Sequence, residues 1–224
     1  YNYRNKAVRL YELGKIYLPR EDGLADEPKI LSLGAYGDGM DFFTLKGGIE
    51  AILRACRIKD VRFEACTDNA SYHPGRCAKV YAGDVELGVF GQIHPLVAAT
   101  YGVDAEIYAA ELCFDALYSV RGGIPVYQPL PKFPAVTRDI AVVCAESVTV
   151  GALEDCIRRG AKGLLKKVEL FDIYRGIGVA PGSKSVAFSL TLRVDDRSLT
   201  GEEADEDVKS ILALLEAELG AKLR

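Results

Sequence analysis

The sequence predicts an α+β protein with two domains, and three features of the chain carry that prediction. In the first half, short strands with alternating apolar residues flank one long amphipathic helix. Residues 119–130 then contain glycines and prolines without any periodicity, which is typical of a linker. From residue 131 onward, strand and helix patterns follow one another in a regular order. We therefore expect domains at residues 1–118 and 131–224, joined by a linker at residues 119–130.

The composition favours a globular protein of the cytoplasm. Of its 224 residues, 49% are apolar and 27% are charged, which suffices for a hydrophobic core. The sequence has no apolar run near the roughly 20 residues of a membrane span and no signal-peptide pattern. It begins with Tyr1 rather than Met, so we expect it to be part of a longer chain. The six cysteines lack C-x-x-C spacing and there are two histidines, so we expect reduced, buried thiols and no metal site.

In the first domain, the predicted elements form a mostly antiparallel sheet with a packed helix. Asp41 stands at the N-cap position of that helix, and apolar residues follow at helical spacing as far as Cys56. Two apolar segments on either side of Ala82-Gly83-Asp84 predict a hairpin, and Pro95 begins a short helix that ends at Tyr101. The predicted strands cover residues 8–18, 30–36, 61–66, 77–81, 85–92 and 107–114.

In the second domain, the predicted order is strand, helix, strand, strand, helix, strand. This is the split βαβ, or ferredoxin-like, arrangement βαββαβ, in which both helices cover one face of the sheet and leave the other open. Thr149 and Thr200 stand at the two helix N-caps, and Glu203 completes a capping box with Thr200. The strands are predicted at residues 139–144, 168–174, 185–194 and 221–224, and the helices at 150–159 and 200–218.

Two strands of the second domain predict a candidate binding face. Residues two apart on a strand point the same way, so Asp172 and Tyr174 share the open face. Phe171 and Ile173 are expected on the opposite face. A flat ligand could lie against the small side chains that share the open face on the next strand. These are Ser185, Ala187, Ser189 and Thr191, which alternate with the apolar residues Val186, Phe188, Leu190 and Leu192.

The charges argue against nucleic-acid binding through bulk electrostatics, since the formal net charge is −4. Their distribution is uneven, because residues 132–167 are mainly basic and residues 195–218 mainly acidic. This polarity permits a local phosphate contact without requiring one. The candidate phosphate contacts are Arg138, Arg175 and Arg193.

A second candidate site is the pair His73 and Cys77 in the first domain, which could act as base and nucleophile of a Cys-dependent hydrolase. The neighbouring sequence offers no acid to orient the histidine and no signature of an oxyanion hole. We expect instead that residues 71–77 form a Pro-Gly turn entering a strand, with Arg76 stabilising that turn.

Several motifs, in a consistent order along the whole chain, resemble the β chain of bacterial phenylalanine–tRNA ligases. In the second domain they are KFPAVTRDIAVV at 132–143, LFDIYRG at 170–176, GSKSVAF at 182–188 and DRSLT at 196–200. In the first domain they are YELGK at 11–15, DFFTLKG at 41–47, HPGR at 73–76 and GQIHP at 91–95. The second domain is thereby similar to the anticodon-binding domain of that family. The first is similar to its catalytic-like module, a class II synthetase-like antiparallel sheet with packed helices.

The resemblance implies that this chain is a C-terminal part of the β subunit, without catalytic residues, metal or cofactor of its own. The α subunit, in an α2β2 heterotetramer, would use ATP and Mg²⁺ to attach phenylalanine to tRNA(Phe). Here Tyr174 would stack on the first anticodon base, and Asp172 would accept hydrogen bonds from the edge of that guanine. Ser185 and Ala187 would contact the adenines that follow.

The fold alone leaves a different class of function open. Ferredoxin-like domains also act as small-molecule regulatory domains that dimerise edge to edge around amino acids, here attached to an inactive enzyme-like module. Such modules use loop glycines at the dimer edge, whereas an acid and an aromatic on the open face favour RNA binding.

Overall fold

The computed structural model describes residues 5–127 and 129–224, which divide into two compact units between Pro125 and Val126. Residues 1–4 of the predicted first domain and Gln128 of the predicted linker lie outside this description. Each unit has its own hydrophobic core. Across the described ranges, no helix combines the length and the apolar composition that crossing a membrane requires.

The first unit is built on a six-stranded antiparallel sheet with the order β1-β2-β6-β5-β4-β3. Asp41 caps its long helix, because one carboxylate oxygen accepts a hydrogen bond of 2.6 Å from the Thr44 N–H. The helix buries Leu45, Ile49 and Leu53 against the sheet. The elements are β1 (Val8–Lys15), β2 (Lys29–Tyr36), α1 (Phe42–Ala55), β3 (Val61–Ala65), β4 (Tyr72–Ala82), β5 (Val85–Ile93), α2 (Pro95–Thr100), β6 (Ile107–Cys113) and α3 (Phe114–Ser119).

One expectation for this unit is wrong, and one helix had no counterpart in the prediction. Strand β4 begins at Tyr72, so Pro74 and Gly75 lie within a strand instead of forming a turn before it. Its pairing with β5 is irregular between Tyr72 and Cys77, and such a break tolerates a proline, which has no N–H to donate to the ladder. Helix α3 was not predicted either, since its six residues are too few to show a helical period.

The second unit has the predicted ferredoxin-like order and a four-stranded antiparallel sheet arranged β10-β7-β9-β8. This confirms the predicted α+β class. Its elements are β7 (Val136–Ala145), α4 (Val150–Gly160), β8 (Leu165–Tyr174), β9 (Ser183–Leu192), α5 (Gly201–Leu219) and β10 (Lys222–Leu223).

The core of the second unit lies on one face of this sheet, under α4 and α5. All four apolar residues that alternate along β9 are completely buried, as are Leu153 and Ile157 of α4 and Ile211 and Leu215 of α5. The period-2 pattern of β9 therefore predicted the core face correctly. Because both helices pack on that side, none of the helices that the structure describes in this unit covers the opposite face, and the candidate binding residues lie on it.

Strand β8 departs from a regular strand at Phe171. Leu170 pairs with Phe188 and Asp172 pairs with Ala187, so Phe171 is an extra residue in a β-bulge. The bulge resets the alternation of the strand. The expected position of Phe171 on the face opposite Asp172 is therefore wrong, and its side chain is 59% exposed.

Candidate nucleic-acid interface

The strand register places the predicted base-reading residues in two neighbouring rows on the open face. In one row, Tyr174 pairs with Ser185, which pairs with Val143. In the next row, Asp172 pairs with Ala187, which pairs with Ala141. Residues paired in this way point to the same side of a sheet. The structure thus brings Asp172, Tyr174, Ser185 and Ala187 together, as the alternation predicted.

The Tyr174 ring is held in place by the turn that follows it. Its hydroxyl donates a hydrogen bond of 3.3 Å to the Ile177 carbonyl. Gly176 lies against the ring, since a Cβ at that residue would be 2.8 Å from the Tyr174 hydroxyl oxygen. The φ of Gly176, +156°, is one that only glycine adopts readily. The ring is therefore half-buried and fixed in orientation before any ligand arrives.

Several acidic residues of this unit form ion pairs, and Asp172 differs from them. Its side chain is exposed, and it has no hydrogen bond or ion pair to any residue of the described ranges. A carboxylate has acceptor capacity on both oxygens, and here both remain available. A ligand could therefore be bound without first breaking an internal contact.

Ser185 and Ala187 are far less accessible than their sequence positions suggested. Ser185 is 3% exposed and Ala187 is 8% exposed, because they lie on the inner strand β9 between larger neighbours. They form the floor of the surface beside Tyr174 and Asp172, and a bound base can touch little of either side chain.

Arg224 reaches this surface from the opposite edge of the sheet. Its backbone N–H donates a hydrogen bond of 2.9 Å to the Ala141 carbonyl, and its guanidinium carbon lies 5.1 Å from the centre of the Tyr174 ring. This is a cation–π contact. The side chain must cross above β7 and β9 to make it. A base that stacks on Tyr174 would displace the guanidinium or stack on it in turn, since arginine planes also stack with bases.

The three arginines predicted as phosphate contacts are all paired with acids. Arg175 makes a bidentate ion pair with Glu146, with a shortest distance of 2.6 Å, and this pair holds the pKa of Glu146 below its usual value. Arg193 lies 3.4 Å from Asp195. Arg138 contacts Asp205 of α5 at 2.8 Å, and its register partner Leu190 is a core residue. Arg138 therefore points to the helix-covered face, away from Tyr174.

The geometry does not support a Cys–His nucleophile in the first unit. Cys77 is buried, and burial together with the hydrogen bond that it donates to the nearby Cys66 raises the pKa of its thiol to about 12. At neutral pH it is a thiol, which is a poor nucleophile. His73 uses its Nδ1 to accept a hydrogen bond of 3.1 Å from the Gly75 N–H. The hydrolase hypothesis therefore finds no activated group.

Arg76 has a different role from the predicted stabilisation of a turn. Its guanidinium donates to the Gln92 side chain at 2.7 Å and to Glu106 at 3.0 Å, and Tyr108 donates to Glu106 at 2.8 Å. Hydrogen bonds from Tyr108 and Arg76 lower the pKa of Glu106. The cluster ties β4, β5 and the start of β6 together. Arg76 thus connects three strands.

Family comparison gives a separate match for each of the two units. Residues 1–114 match the family model described as "Phenylalanyl tRNA synthetase beta chain CLM domain". The chain belongs to the phenylalanyl-tRNA synthetase β-chain family. Residues 131–224 match the model described as "Ferredoxin-fold anticodon binding domain". Both matches confirm the resemblance that the sequence motifs indicated.

Curated relatives give the same result over the entire chain. The phenylalanine–tRNA ligase β subunit of Clostridium tetani is 37% identical over all of this chain and 28% of its own length. That of Moorella thermoacetica is 38% identical over 97% of this chain and 28% of its own length. The chain therefore spans little more than a quarter of these relatives. The hypothesis of a small-molecule regulatory domain is not favoured by any of these matches.

One solved structure, a pyrrolysyl tRNA synthetase of Desulfitobacterium hafniense, covers 53% of this chain and 43% of its own chain. Its TM-score is 0.45 and its sequence identity is 16%, values too low to support an argument about fold or function.

Two residues of the open face were missed by sequence reasoning. The sequence did contain a signal for the exposure of Phe171. In a regular strand, Val168 and Leu170 point to the opposite side from Ile173, so placing all three apolar side chains on one side requires a bulge between Leu170 and Ile173. For Arg224 the sequence carries no such signal. Its contact with Tyr174 depends on β10 lying at the far edge of the sheet.

Proposed function

We propose that the second unit of this chain binds the anticodon of tRNA(Phe) on its open sheet face, with Tyr174 stacking on the first anticodon base and Asp172 reading that base. The main support for this proposal is the exposed, unpartnered carboxylate of Asp172, which lies beside the oriented ring of Tyr174. Both residues belong to a unit that matches an anticodon-binding family model. Single-stranded RNA loops are recognised by such stacking together with hydrogen bonds to base edges.

Asp172 selects guanine for a chemical reason. The Watson–Crick edge of guanine presents two adjacent donors, N1–H and the N2 amine, which together match the two oxygens of a carboxylate. Adenine and cytosine each present one amine donor next to an acceptor, and uracil presents one N–H between two carbonyls. A carboxylate therefore satisfies guanine and leaves an acceptor facing an acceptor in every other base.

Ser185 and Ala187 would support the adenines that follow as a floor beneath them, with little contact from their own side chains. Arg175 and Arg193 remain proposed phosphate contacts, and each would exchange a carboxylate partner for a phosphate oxygen. Arg138 is held to Asp205 on the helix-covered face, so we do not include it among the contacts.

The assembly is part of the same proposal. We infer that the chain is the C-terminal part of a β subunit that packs against a catalytic α subunit in an α2β2 heterotetramer. That α subunit uses ATP and Mg²⁺, and this chain contributes no catalytic residue or cofactor. An apolar edge on the first unit supports a partner of this kind, because β1 is an edge strand with Leu10, Tyr11 and Leu13 all more than half exposed. The six cysteines are free thiols, which suits the cytoplasm in which we place the enzyme.

The test is Asp172→Asn in the assembled ligase, titrated with anticodon stem-loops that carry guanine or inosine at the first anticodon position. The amide turns one acceptor into a donor, which would oppose the N2 amine of guanine but not inosine, which lacks it. We expect the variant to bind the guanine loop more weakly by about 1–3 kcal/mol and to discriminate less between the two loops.

The matched control is Asp155→Asn, which removes the same charge from an exposed position on α4, the side of the sheet away from Tyr174. It should leave both affinities unchanged. Equal losses for the guanine and inosine loops in Asp172→Asn would show that the carboxylate does not read the guanine edge.

A further inference from the structure

In the first unit, the face of the six-stranded sheet that is turned away from α1 carries a depression. Its volume is about 220 Å³, several times the roughly 30 Å³ that one water molecule occupies in the liquid. Ala110 belongs to the core under α1, and its neighbours on β6 point to the other side of the sheet. The residues that shape the depression come from four strands and the segment before β4, and they are Ser32, Ser71, Tyr72, Ile93, Ala109 and Glu111.

Tyr72 presents a polar group without a partner to this depression. The residue is 5% exposed, and residues 5–127 and 129–224 provide no hydrogen bond to its hydroxyl. Among the same residues, the unpaired side-chain oxygen that is fully enclosed is Oδ2 of Asp207, so the Tyr72 hydroxyl retains an opening. The depression that Tyr72 lines supplies that opening. Buried tyrosine hydroxyls usually have a hydrogen-bond partner, so this one is available to a ligand.

The carboxylate of Glu111 lies at the same depression. Glu111 is exposed, and its side chain forms no hydrogen bond or ion pair with any residue that the structure describes. Burial, followed by the negative charge of Glu111, raises the pKa of Tyr72. At pH 7 Tyr72 is therefore a neutral phenol, which can accept a hydrogen bond as well as donate one. Ser32 is the register partner of Glu111 and adds a second hydroxyl beside the carboxylate.

We propose that this depression binds a primary ammonium group on a short alkyl chain, such as the end of a polyamine or a lysine side chain. An ammonium group has a positive charge and three N–H donors. Glu111 provides the opposite charge, and the hydroxyl oxygens of Tyr72 and Ser32 accept the remaining donors. Ile93 and Ala109 provide apolar contacts for the alkyl chain.

Charge and size argue against other classes of ligand. The described residues that line the depression include no arginine or lysine, so an anion would meet Glu111 without a compensating cation. A Mg²⁺ or Ca²⁺ ion would find a single carboxylate, and the described part of the chain contains no group of three or more potential metal ligands. Most ligand pockets have volumes of roughly 300–1,000 Å³, so this smaller depression suits one functional group on a short chain.

The experiment uses the assembled ligase and three probes of equal length, which are n-butylammonium, 1-butanol and butyrate. Binding is followed by NMR titration with phenylalanine at saturation, so that the amine does not occupy an amino-acid site on the α subunit. We expect saturable binding of n-butylammonium and none of the other two probes. Tyr72→Phe removes only the free hydroxyl and should weaken binding by about 2- to 12-fold. Glu111→Gln removes the charge and should weaken it by about 10- to 150-fold.

The matched control is Glu21→Gln, the same change at an exposed residue of the loop between β1 and β2 that does not line the depression. It should leave the affinity for n-butylammonium unchanged. Neither Tyr72→Phe nor Glu111→Gln should lower the midpoint of urea denaturation, because neither removes a hydrogen bond within the described ranges. A loss of binding in these variants therefore reports on the site and not on unfolding.

Two further probes distinguish the sources of the ammonium group. The probe 1,4-diaminobutane represents a free polyamine, and Nα-acetyl-lysine N-methylamide represents a lysine side chain of a partner protein. Tighter binding of one of them, weakened by the same two variants, identifies the source. Equal binding of n-butylammonium and 1-butanol, binding that either variant leaves unchanged, or no binding of any amine would overturn the proposal. None of these measurements involves RNA, so such a result leaves the proposed anticodon binding unaffected.

Discussion

Replacing Gly176 with alanine should move the Tyr174 ring and so weaken RNA binding, although Gly176 itself is not among the proposed RNA contacts. A Cβ at this position would lie 2.8 Å from the Tyr174 hydroxyl oxygen and 3.1 Å from the ring carbon that carries it. Both distances are shorter than an ordinary van der Waals contact between non-bonded heavy atoms. Because the hydroxyl is also bonded to the Ile177 carbonyl at 3.3 Å, the ring has to leave that hydrogen bond when it moves.

Gly178 provides a matched control in the same turn. It also has a positive φ, of +90°, but a Cβ there would meet no atom within 4 Å. Forcing an alanine into such a conformation costs roughly 1–2 kcal/mol. We therefore expect both Gly176→Ala and Gly178→Ala to lower the free energy of unfolding by about that amount. Only Gly176→Ala should also weaken RNA binding, by up to the roughly 1–3 kcal/mol of one base stack.

The assays are urea denaturation and titration with a tRNA(Phe) anticodon stem-loop. A third variant, Gly176→Ala with Tyr174→Phe, removes the nearest clashing atom and leaves the ring itself. It should regain part of the lost affinity while remaining destabilised. Equal losses of RNA affinity in Gly176→Ala and Gly178→Ala would refute the reasoning, since backbone strain alone would then account for the effect.

Three further predictions concern the stability of the second unit and the division of the chain. Thr200→Ala removes the capping box of α5, in which Thr200 Oγ1 accepts from the Glu203 N–H and Glu203 accepts from the Thr200 N–H, so chemical denaturation should show a loss of about 1 kcal/mol. Hydrogen bonds from Arg197 and Thr200 lower the pKa of Glu203 to about 2 from its usual 4.5. The contribution of Glu203 to stability is therefore present above pH 4.5 and lost as the pH falls toward 2. Glu203→Gln should flatten the pH dependence of the free energy of unfolding in that window. Limited proteolysis should cut first within residues 119–130, because chain between compact units opens most readily, and a first cut between residues 151 and 191 would contradict the predicted linker.

Much of the second unit could be predicted from local patterns. The alternation along β9 gave the core residues directly, because a strand with one buried face needs a period of two. The caps at Thr149 and Thr200 marked the helix starts to within one residue, since each satisfies N–H groups that the helix leaves free. The placement of Asp172 and Tyr174 on one face followed from the same period.

In the first unit, prediction failed where a side-chain role depends on strands that are distant in sequence. The sequence HPGR suggested a turn around Pro74, but its residues lie in β4 beside β5. Arg76 meets Gln92 and Glu106 only because β4, β5 and β6 are neighbours in the sheet. Local propensity depends on each residue and its sequence neighbours, so it does not predict which distant strands pair.

By itself, the sequence determined the family, the order of elements in the second unit and the pair of residues proposed to read the first anticodon base. These follow from motifs, caps and periodicity, all of which are local. Only the tertiary structure decided what is accessible on the open face. It buried Ser185 and Ala187 between neighbouring strands, exposed Phe171 through a bulge and laid Arg224 against Tyr174 from the far edge of the sheet. Exposure is set by what other strands place above a residue, and a residue's own sequence neighbours do not contain that information.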